Sequence, residues 1–434
     1  MIKIDFKNIF ACPSAGVSEA KWRALGKDLP RLIKQLKTRG QGFHSVIDDA
    51  KTAGEIIKFA KAQRGKFESL VVLGIGGSAL GLLAISQALN NIYHNEAGAR
   101  GKRTPKLYVL DNIDPALIRE TEEQLNLAKT LFIVISKSGT TAETVSQYLY
   151  FRKKIAQKKL LIKKHFVFIT DAKTGWLRQV ANAEKISAFS IPNNIGGRWS
   201  VLTPVGLLPA ALMGIDIQKI LASARQGRSS IFLANFSANL AWQMASAQYL
   251  LYHQGRSINV LMPYAQHLWR LADWYRQLLA ESIGKVKNRR GEQVNVGITP
   301  VTALGVTDQH SQLQLYSEGP EDKLIIFVRV SEAGKKISIP LLTKTEVEFS
   351  FLRGVSFNKL FDVEYQGTAA ALTKNNRPNF TINIKRVDEQ TLGELFMLFE
   401  GAVAFLGELF NVDAFNQPGV ELSKKMTRDL LKNS

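Results

Sequence analysis

SLVVLGIGGS, residues Ser69 to Ser78, is a short apolar run that closes on three glycines and a serine. Five β-branched or leucine-type residues without polar alternation read as a strand buried on both faces. The next residues, Leu80 to Asn90, read as a helix. The pattern recurs on both sides. Strand-like runs lie at Lys106 to Leu110, Leu131 to Ser136, His165 to Thr170 and Ile186 to Ile191, with a helical stretch at Glu143 to Ala156. Such alternation is a βαβ series, so residues of about 45–205 are expected to form a doubly wound parallel sheet. A second series follows. Asn239 to His253 and Gln266 to Glu281 read as helices, and Ser257 to Leu261, Val301 to Val306, Lys323 to Val330 and Thr381 to Val387 as strands. Residues 17–65 are charged and helical in pattern, and Thr391 to Phe410 and Glu421 to Lys432 also read as helices. The expected organisation is α/β: a helical lead over 1–45, one doubly wound domain over 46–205, another over 206–410, and a helical tail over 411–434. No short repeat links the two halves.

Bulk properties agree. A chain of 434 residues exceeds one ordinary core, which makes two domains the natural expectation and three possible. No apolar stretch reaches the length of a membrane span. Asp5 and Lys7 interrupt the first apolar letters, so no signal peptide is expected. The single cysteine, Cys12, cannot form an internal disulfide, which fits a reducing compartment such as the cytoplasm. The formal charge of +20 admits nucleic-acid binding, attraction of small anions, or a merely basic surface. Its densest patches, Arg152 to Lys164 and Lys285 to Arg290, are dispersed rather than gathered in one tail. The first lies on a helix leading into a strand, which favours a solvated face over a nucleic-acid site.

Several motifs carry chemistry. Gly74-Ile75-Gly76-Gly77-Ser78 is either a tight strand-to-helix turn or an anion site at a helix N-terminus. A dinucleotide fingerprint would need a glycine at position 79, which is alanine. Ser136-Lys137-Ser138-Gly139-Thr140-Thr141 packs four hydroxyls and a lysine between a strand and a helix. A helix cap needs one hydroxyl, so a phosphate cradle is the better reading. It lacks the glycine–lysine order of a nucleotide P-loop. Gly196-Gly197-Arg198 could set a guanidinium against a developing oxyanion or place it in an ordinary salt bridge. Gln277 and Glu281, at i and i+4, share a helix face just before Gly284. A glutamate there meets the negative end of the helix dipole. His310 follows a strand, and alone a histidine is more often structural. No second histidine or cysteine lies at ligand spacing, so no metal is expected. Lys424 follows the turn Gln417-Pro418-Gly419, and alone it reads as a solvated helix lysine.

As an ordered set, GIGGS, SKSGTT, NIGGRWSVLTPVGL (Asn194 to Leu207) and FNQPGVELSK (Phe415 to Lys424) resemble the glucose-6-phosphate isomerase family. The resemblance spans Ser69 to Met426, about four fifths of the chain, and its compact length is similar to a short bacterial branch. It implies two sugar-isomerase (SIS) domains of α/β/α sandwich type, a homodimer with sites at the subunit interface, and neither metal nor organic cofactor. It implies a sugar-phosphate substrate whose phosphate meets Gly77, Ser78, Ser136, Lys137, Ser138, Thr140 and Thr141. Glu281 would carry the proton between C1 and C2, Arg198 would stabilise the enediolate, and Gly197 would contact the substrate. His310, reaching into the neighbouring subunit's site, and Lys424 would open the sugar ring. Gln277 and Gln417 would hold sugar hydroxyls. Trp199 stands where the family has phenylalanine or tyrosine, and Ile283 where many members are polar, which bears on glucose versus mannose specificity. An isomerase of other or dual specificity and a sugar-phosphate sensor are the competing expectations. A sensor has no use for Glu281, His310 and Lys424 together.

Overall fold

The computed structural model describes residues 2–12, 14–96, 104–332, 334–340 and 344–432. The chain opens with a short strand, β1 (Lys3–Asp5), before the helices Glu19–Ala24, Leu29–Thr38 and Ala50–Gln63. In Leu29–Thr38 the buried residues are Leu29, Leu32, Ile33 and Leu36, a spacing that puts them on one face. The first sheet follows as β2 (Ser69–Leu73), β3 (Lys106–Leu110), β4 (Thr130–Ile135), β5 (Phe166–Thr170) and β6 (Ser187–Ser190). Its order is β3-β2-β4-β5-β6, and every neighbouring pair is parallel. The central strands β2, β4 and β5 are buried at every residue, as their unbroken apolar runs require.

The second half contains β7 (Ile258–Tyr264), a two-stranded hairpin of β8 (Lys285–Lys287) and β9 (Gln293–Val296), then β10 (Thr299–Thr302), β11 (Lys323–Val330) and β12 (Asn379–Ile384). The second sheet runs β1-β12-β11-β7-β10. Its last four strands are mutually parallel, and β1 pairs antiparallel with β12, Ile4 opposite Ile382. The first residues of the chain, expected in a helical lead, therefore edge the second sheet. Three residues are too few to mark a strand by pattern. Pro300 sits in β10, an edge strand, where a missing N–H is tolerated.

Successive residues of a strand face opposite ways, and the cores follow that alternation. Val71, Leu73, Phe132 and Val134 pack outward with Tyr148 and Phe151. Leu70, Val72, Ile133 and Ile135 face inward, into one core shared with Leu261, Ile326, Val328 and Ile382 of the second sheet. Between the sheets lie buried helices, including Leu80–Leu89, Pro204–Leu212, Ile217–Ile231, Leu240–Tyr252, Trp269–Ile283 and Glu389–Leu409. The helix Pro204–Leu212 crosses the expected boundary at 205/206. It is almost wholly apolar and has Pro209 inside it, which removes both the polar face and the clean interior that mark a helix in sequence. In the basic stretch 152–164, Lys153, Lys158, Lys159, Lys163 and Lys164 are exposed, as a solvated face would be.

Candidate active site

In a doubly wound sheet, ligands gather at the carboxyl ends of strands where the winding reverses direction. The first sheet, numbered from its own first strand, has the order 2-1-3-4-5, so the reversal falls between β2 and β4. The glycine motif leaves β2 at that point and the hydroxyl motif leaves β4 beside it.

Gly76–Ser78 forms a single helical turn before Leu80–Leu89, with Gly76 at φ +57°. A side chain on Gly77 could not be accommodated: its Cβ would lie 2.2 Å from the carbonyl carbon of Gly197. The two glycine turns are thus packed backbone to backbone, and Ser200 Oγ, donating to the Gly197 carbonyl at 2.6 Å, braces the second. Ser78 is half-buried at the end of the first turn.

In the hydroxyl loop, Ser136 Oγ and Thr141 Oγ1 share a hydrogen bond of 2.8 Å. Thr141 is the residue before the helix Ala142–Gln157, yet its side chain does not cap it. The amides of the helix's first turn are left without a side-chain acceptor, which removes the capping explanation for the hydroxyls and leaves an anion-suited end. Ser138 and Thr140 are exposed and bonded to each other at 3.2 Å. Lys137 Nζ donates to the carbonyls of Asn193 (2.8 Å) and Ile195 (2.9 Å), tying this loop to the arginine loop. Burial pushes its ammonium below the ordinary lysine value, and Asp171 opposes the shift.

Arg198 is buried and all five of its N–H groups are engaged. Nε donates to Ser282 Oγ at 2.8 Å, and Nη2 to the carbonyls of Ala414 (2.6 Å) and Asn416 (3.0 Å). Nη1 donates to Glu281 Oε2 and to Gln417 Oε1, each at 3.1 Å. Burial lowers the guanidinium pKa from its ordinary value, and Glu281 opposes the shift. Glu281 projects from the last turn of Trp269–Ile283, and its second oxygen accepts from Gln277 Nε2 at 2.9 Å. The Glu281 side chain is 33% exposed, so it is held on one side and open on the other. Gln277 Oε1 is buried without a hydrogen-bond partner.

This convergence follows from the fold. The helices Leu80–Leu89 and Trp269–Ile283 pack side by side and run in opposite directions. Gln87 near the end of one binds the Arg270 amide near the start of the other. At the other end, a Cβ on Gly76 would come within 2.9 Å of Gln277 Nε2. The last turns of Trp269–Ile283 therefore lie over the glycine turn.

Two expected residues are not gathered here. His310 is exposed after the turn Thr307–Gln309, and no hydrogen bond or ion pair of the cluster involves it. Lys424 is exposed and bonds Glu421 at 2.8 Å, on a helix, Glu421–Lys432, with no buried residue. Conversely, Ser282 and Lys285 join the cluster although no motif marks them. Lys285 is buried, and its Nζ donates to the carbonyls of Glu281 (2.5 Å) and Ser282 (3.0 Å). It belongs to the basic run Lys285 to Arg290. Arg289 of that run is half-buried, sharing the buried carboxylate of Glu408 with Arg39. A cavity of about 890 Å³ adjoins Glu281 and is also lined by Lys285, Arg289, Asp413 and Gln417; no residue of the hydroxyl loop lines it. Trp199 is buried and packs on Phe43 and Phe415, at centroid distances of 4.9 and 4.8 Å. It supports the loop carrying Gln417 from behind. Ile283 is core.

Known proteins resemble this chain in both fold and sequence. A hypothetical protein from Thermus thermophilus superposes with a TM-score of 0.86 at 35% identity, covering 99% of this chain and 100% of that one. A glucose-6-phosphate isomerase from Chlamydia trachomatis superposes with a TM-score of 0.84 at 21% identity, covering 99% and 88%, a likeness of fold. The fold is that of the sugar-phosphate isomerases. A family model described as phosphoglucose isomerase matches residues 43–434. The glucose-6-phosphate isomerase of Carboxydothermus hydrogenoformans is 44% identical, across 99% of this chain and 94% of the relative. The chain belongs to the phosphoglucose isomerase family.

Proposed function

We propose that the chain interconverts glucose 6-phosphate and fructose 6-phosphate by moving one proton between C1 and C2 through a cis-enediolate, with Glu281 as the base. The observation that carries this reading is the Glu281–Arg198 pair at 3.1 Å, one helical turn from Gln277 and beside the glycine turn. The transfer needs one group that takes a proton and returns it to the adjacent carbon. A carboxylate with one open side can do so, and such catalysis is worth about 10²–10⁴-fold. The enediolate needs a fixed positive charge, which the fully engaged Arg198 supplies without reorganising. Ser78, Ser136, Ser138, Thr140 and Thr141, with the Gly77 turn and the amides before Ala142–Gln157, hold the phosphate. Lys137 fixes that loop and adds charge. The orphaned Gln277 oxygen accepts from a sugar hydroxyl, and Gln417 orients another.

Ring opening falls to His310 and Lys424. Because His310 does not join the cluster within one chain, the proposed working form is a homodimer. A second copy brings its His310 to the site and covers the exposed helix Glu421–Lys432. Among the described residues no helix is long and apolar enough to cross a membrane. The reaction belongs to glycolysis and gluconeogenesis in the cytoplasm, with no metal or organic cofactor. The test is a coupled assay on fructose 6-phosphate with chelator present. Chelator-resistant formation of glucose 6-phosphate, abolished in Glu281→Gln, is the expected result. Sugar-phosphate binding without turnover would replace this reading with a sensor.

A further inference from the structure

Lys285 is one of the few lysines that the fold takes inside, and neither ring opening nor phosphate binding uses it. It follows Gly284, the residue that ends Trp269–Ile283, and begins β8. A helix terminus leaves its last carbonyls without intrahelical partners and carries a partial negative charge. Here the two carbonyls that receive Lys285 Nζ belong to Glu281, the base, and Ser282, which holds Arg198 through its hydroxyl. One ammonium therefore grips the backbone of both residues that orient the Glu281–Arg198 pair. It also offsets the negative helix end that faces the Glu281 carboxylate.

We propose that Lys285 is a positioning residue for the base: its ammonium, docked on the carbonyls of Glu281 and Ser282, fixes the last helical turn and with it the placement of the Glu281 carboxylate against Arg198. This rests on the reading of Glu281 as the base. The docking requires the charged form, because a neutral amine is a poorer donor and no longer opposes the helix dipole. The charged groups facing Lys285 are Arg198 from the arginine turn, Asp413 from the loop after Glu389–Leu409, and Glu281 from its own helix. Burial first and Arg198 second push the ammonium down to about 8, with Asp413 and Glu281 opposing. The grip is therefore lost as pH rises through about 8. Stability moves the other way. An unfolded lysine titrates near ~10.4, so between about 8 and that value the unfolded chain holds the proton that the folded one has released. Across that window the contribution of Lys285 to stability rises with pH while turnover falls.

The test uses the full-length protein and measures kcat and KM for fructose 6-phosphate from pH 6 to pH 10, roughly the span across which this lysine titrates. A misplacement of about 1 Å costs on the order of 10²-fold in rate. Lys285→Met is therefore expected to lose about 10–100-fold in kcat at neutral pH with KM within about threefold. The wild-type fall in kcat near pH 8 is expected to be missing from that variant. A kcat within about twofold of wild type, a loss confined to KM, or an unchanged alkaline limb in Lys285→Met each overturns the proposal. Should Lys285→Met fail to fold, Lys285→Arg decides: its charge persists at high pH, so its alkaline limb must move upward, and an unmoved limb overturns the proposal. Thermal unfolding of the wild type over the same pH range separates loss of grip from alkaline denaturation, in which turnover and stability fall together. Turnover retained in Glu281→Gln would remove the base reading itself. Turnover lost in Glu281→Gln but untouched in Lys285→Met would remove only the role given to Lys285.

Discussion

The two sheets share a winding order and differ in what they deliver. Numbered from its first parallel strand (β2 and β7), each runs 2-1-3-4, the first adding β6 and the second the antiparallel β1. In the first half, β2 and β4 end in the glycine turn and the hydroxyl loop, both at the start of helices. In the second half, β7 leads into Trp269–Ile283, and Gln277, Glu281 and Ser282, the residues proposed to act or to position, sit at that helix's far end. Because this helix packs antiparallel to Leu80–Leu89, the N-terminal end of one meets the C-terminal end of the other. Helix N-termini suit anions, and a C-terminus resists stabilising a carboxylate. One half is thereby suited to hold phosphate, and the other carries the carboxylate proposed as the base, held by Arg198 and Gln277. Arg198, on the link between them, binds residues of the second half and of the C-terminal loop.

This division predicts that damage to the second half appears in kcat and damage to the first in KM. The largest effect is expected for Glu281→Gln, about 10²–10⁴-fold in kcat with KM little changed. Steady-state kinetics with a separate binding isotherm measure both. A large rise in KM without a loss of kcat would break the division at its centre. Arg198→Lys follows, with a loss of about 10²–10³-fold in kcat. A lysine has three donors for the five acceptors that Arg198 serves, so the carbonyls of Ala414 or Asn416 lose partners and stability drops by about 1–3 kcal/mol. Chemical denaturation reads the second loss independently of turnover.

Much of this was legible in sequence, and the failures have physical causes. The buried strands of the first sheet announce themselves because parallel sheets need unbroken apolar runs; β3 and β11 begin and end where the pattern places them. Strand β1 is invisible because its partner, β12, lies more than 370 residues away, as the pairing of Lys3 with Asn383 shows. The roles of Glu281 and Arg198 come from motif resemblance, and their contact adds the geometry that spacing cannot give. No motif marks Lys285 and Arg289, because a run of basic residues carries no sign of which ones the fold turns inward. Lys285 had one local signal: a lysine just past a helix-ending glycine is placed to bind the last carbonyls.

The comparison sharpens further between what one chain assembles and what it leaves apart. Arg198, Glu281, Gln277 and Gln417 form one bonded cluster, whereas His310 stands exposed outside it. If a second copy supplies His310, Glu281→Gln and His310→Gln dimers are each expected to be nearly inactive, and mixing them should restore activity. Random reassociation makes about half of the dimers mixed, each with one intact site of two, so recovery approaches about a quarter of the wild-type rate. Mixing after partial unfolding, followed by the coupled assay, measures it. No recovery from dimers shown to have exchanged would place His310 at its own chain's site or outside the mechanism.

The smallest effect belongs to the phosphate end. Thr141→Val keeps the shape of the side chain and removes its hydroxyl. That hydroxyl bonds Ser136 at 2.8 Å and leaves the helix amides uncapped, so its loss takes one donor from the cradle without releasing a helix cap. One hydrogen bond is worth about 0.5–1.5 kcal/mol, somewhat more when its partner is charged. KM is therefore expected to rise by about 3–10-fold with kcat held. The same variant tested with inorganic phosphate as a competitive inhibitor should weaken inhibition by the same factor, since the phosphate meets the cradle and never the base. A drop in kcat with unchanged inhibition would mean that this loop acts on the chemistry and not on the anchor, and the two halves would no longer be separable by function.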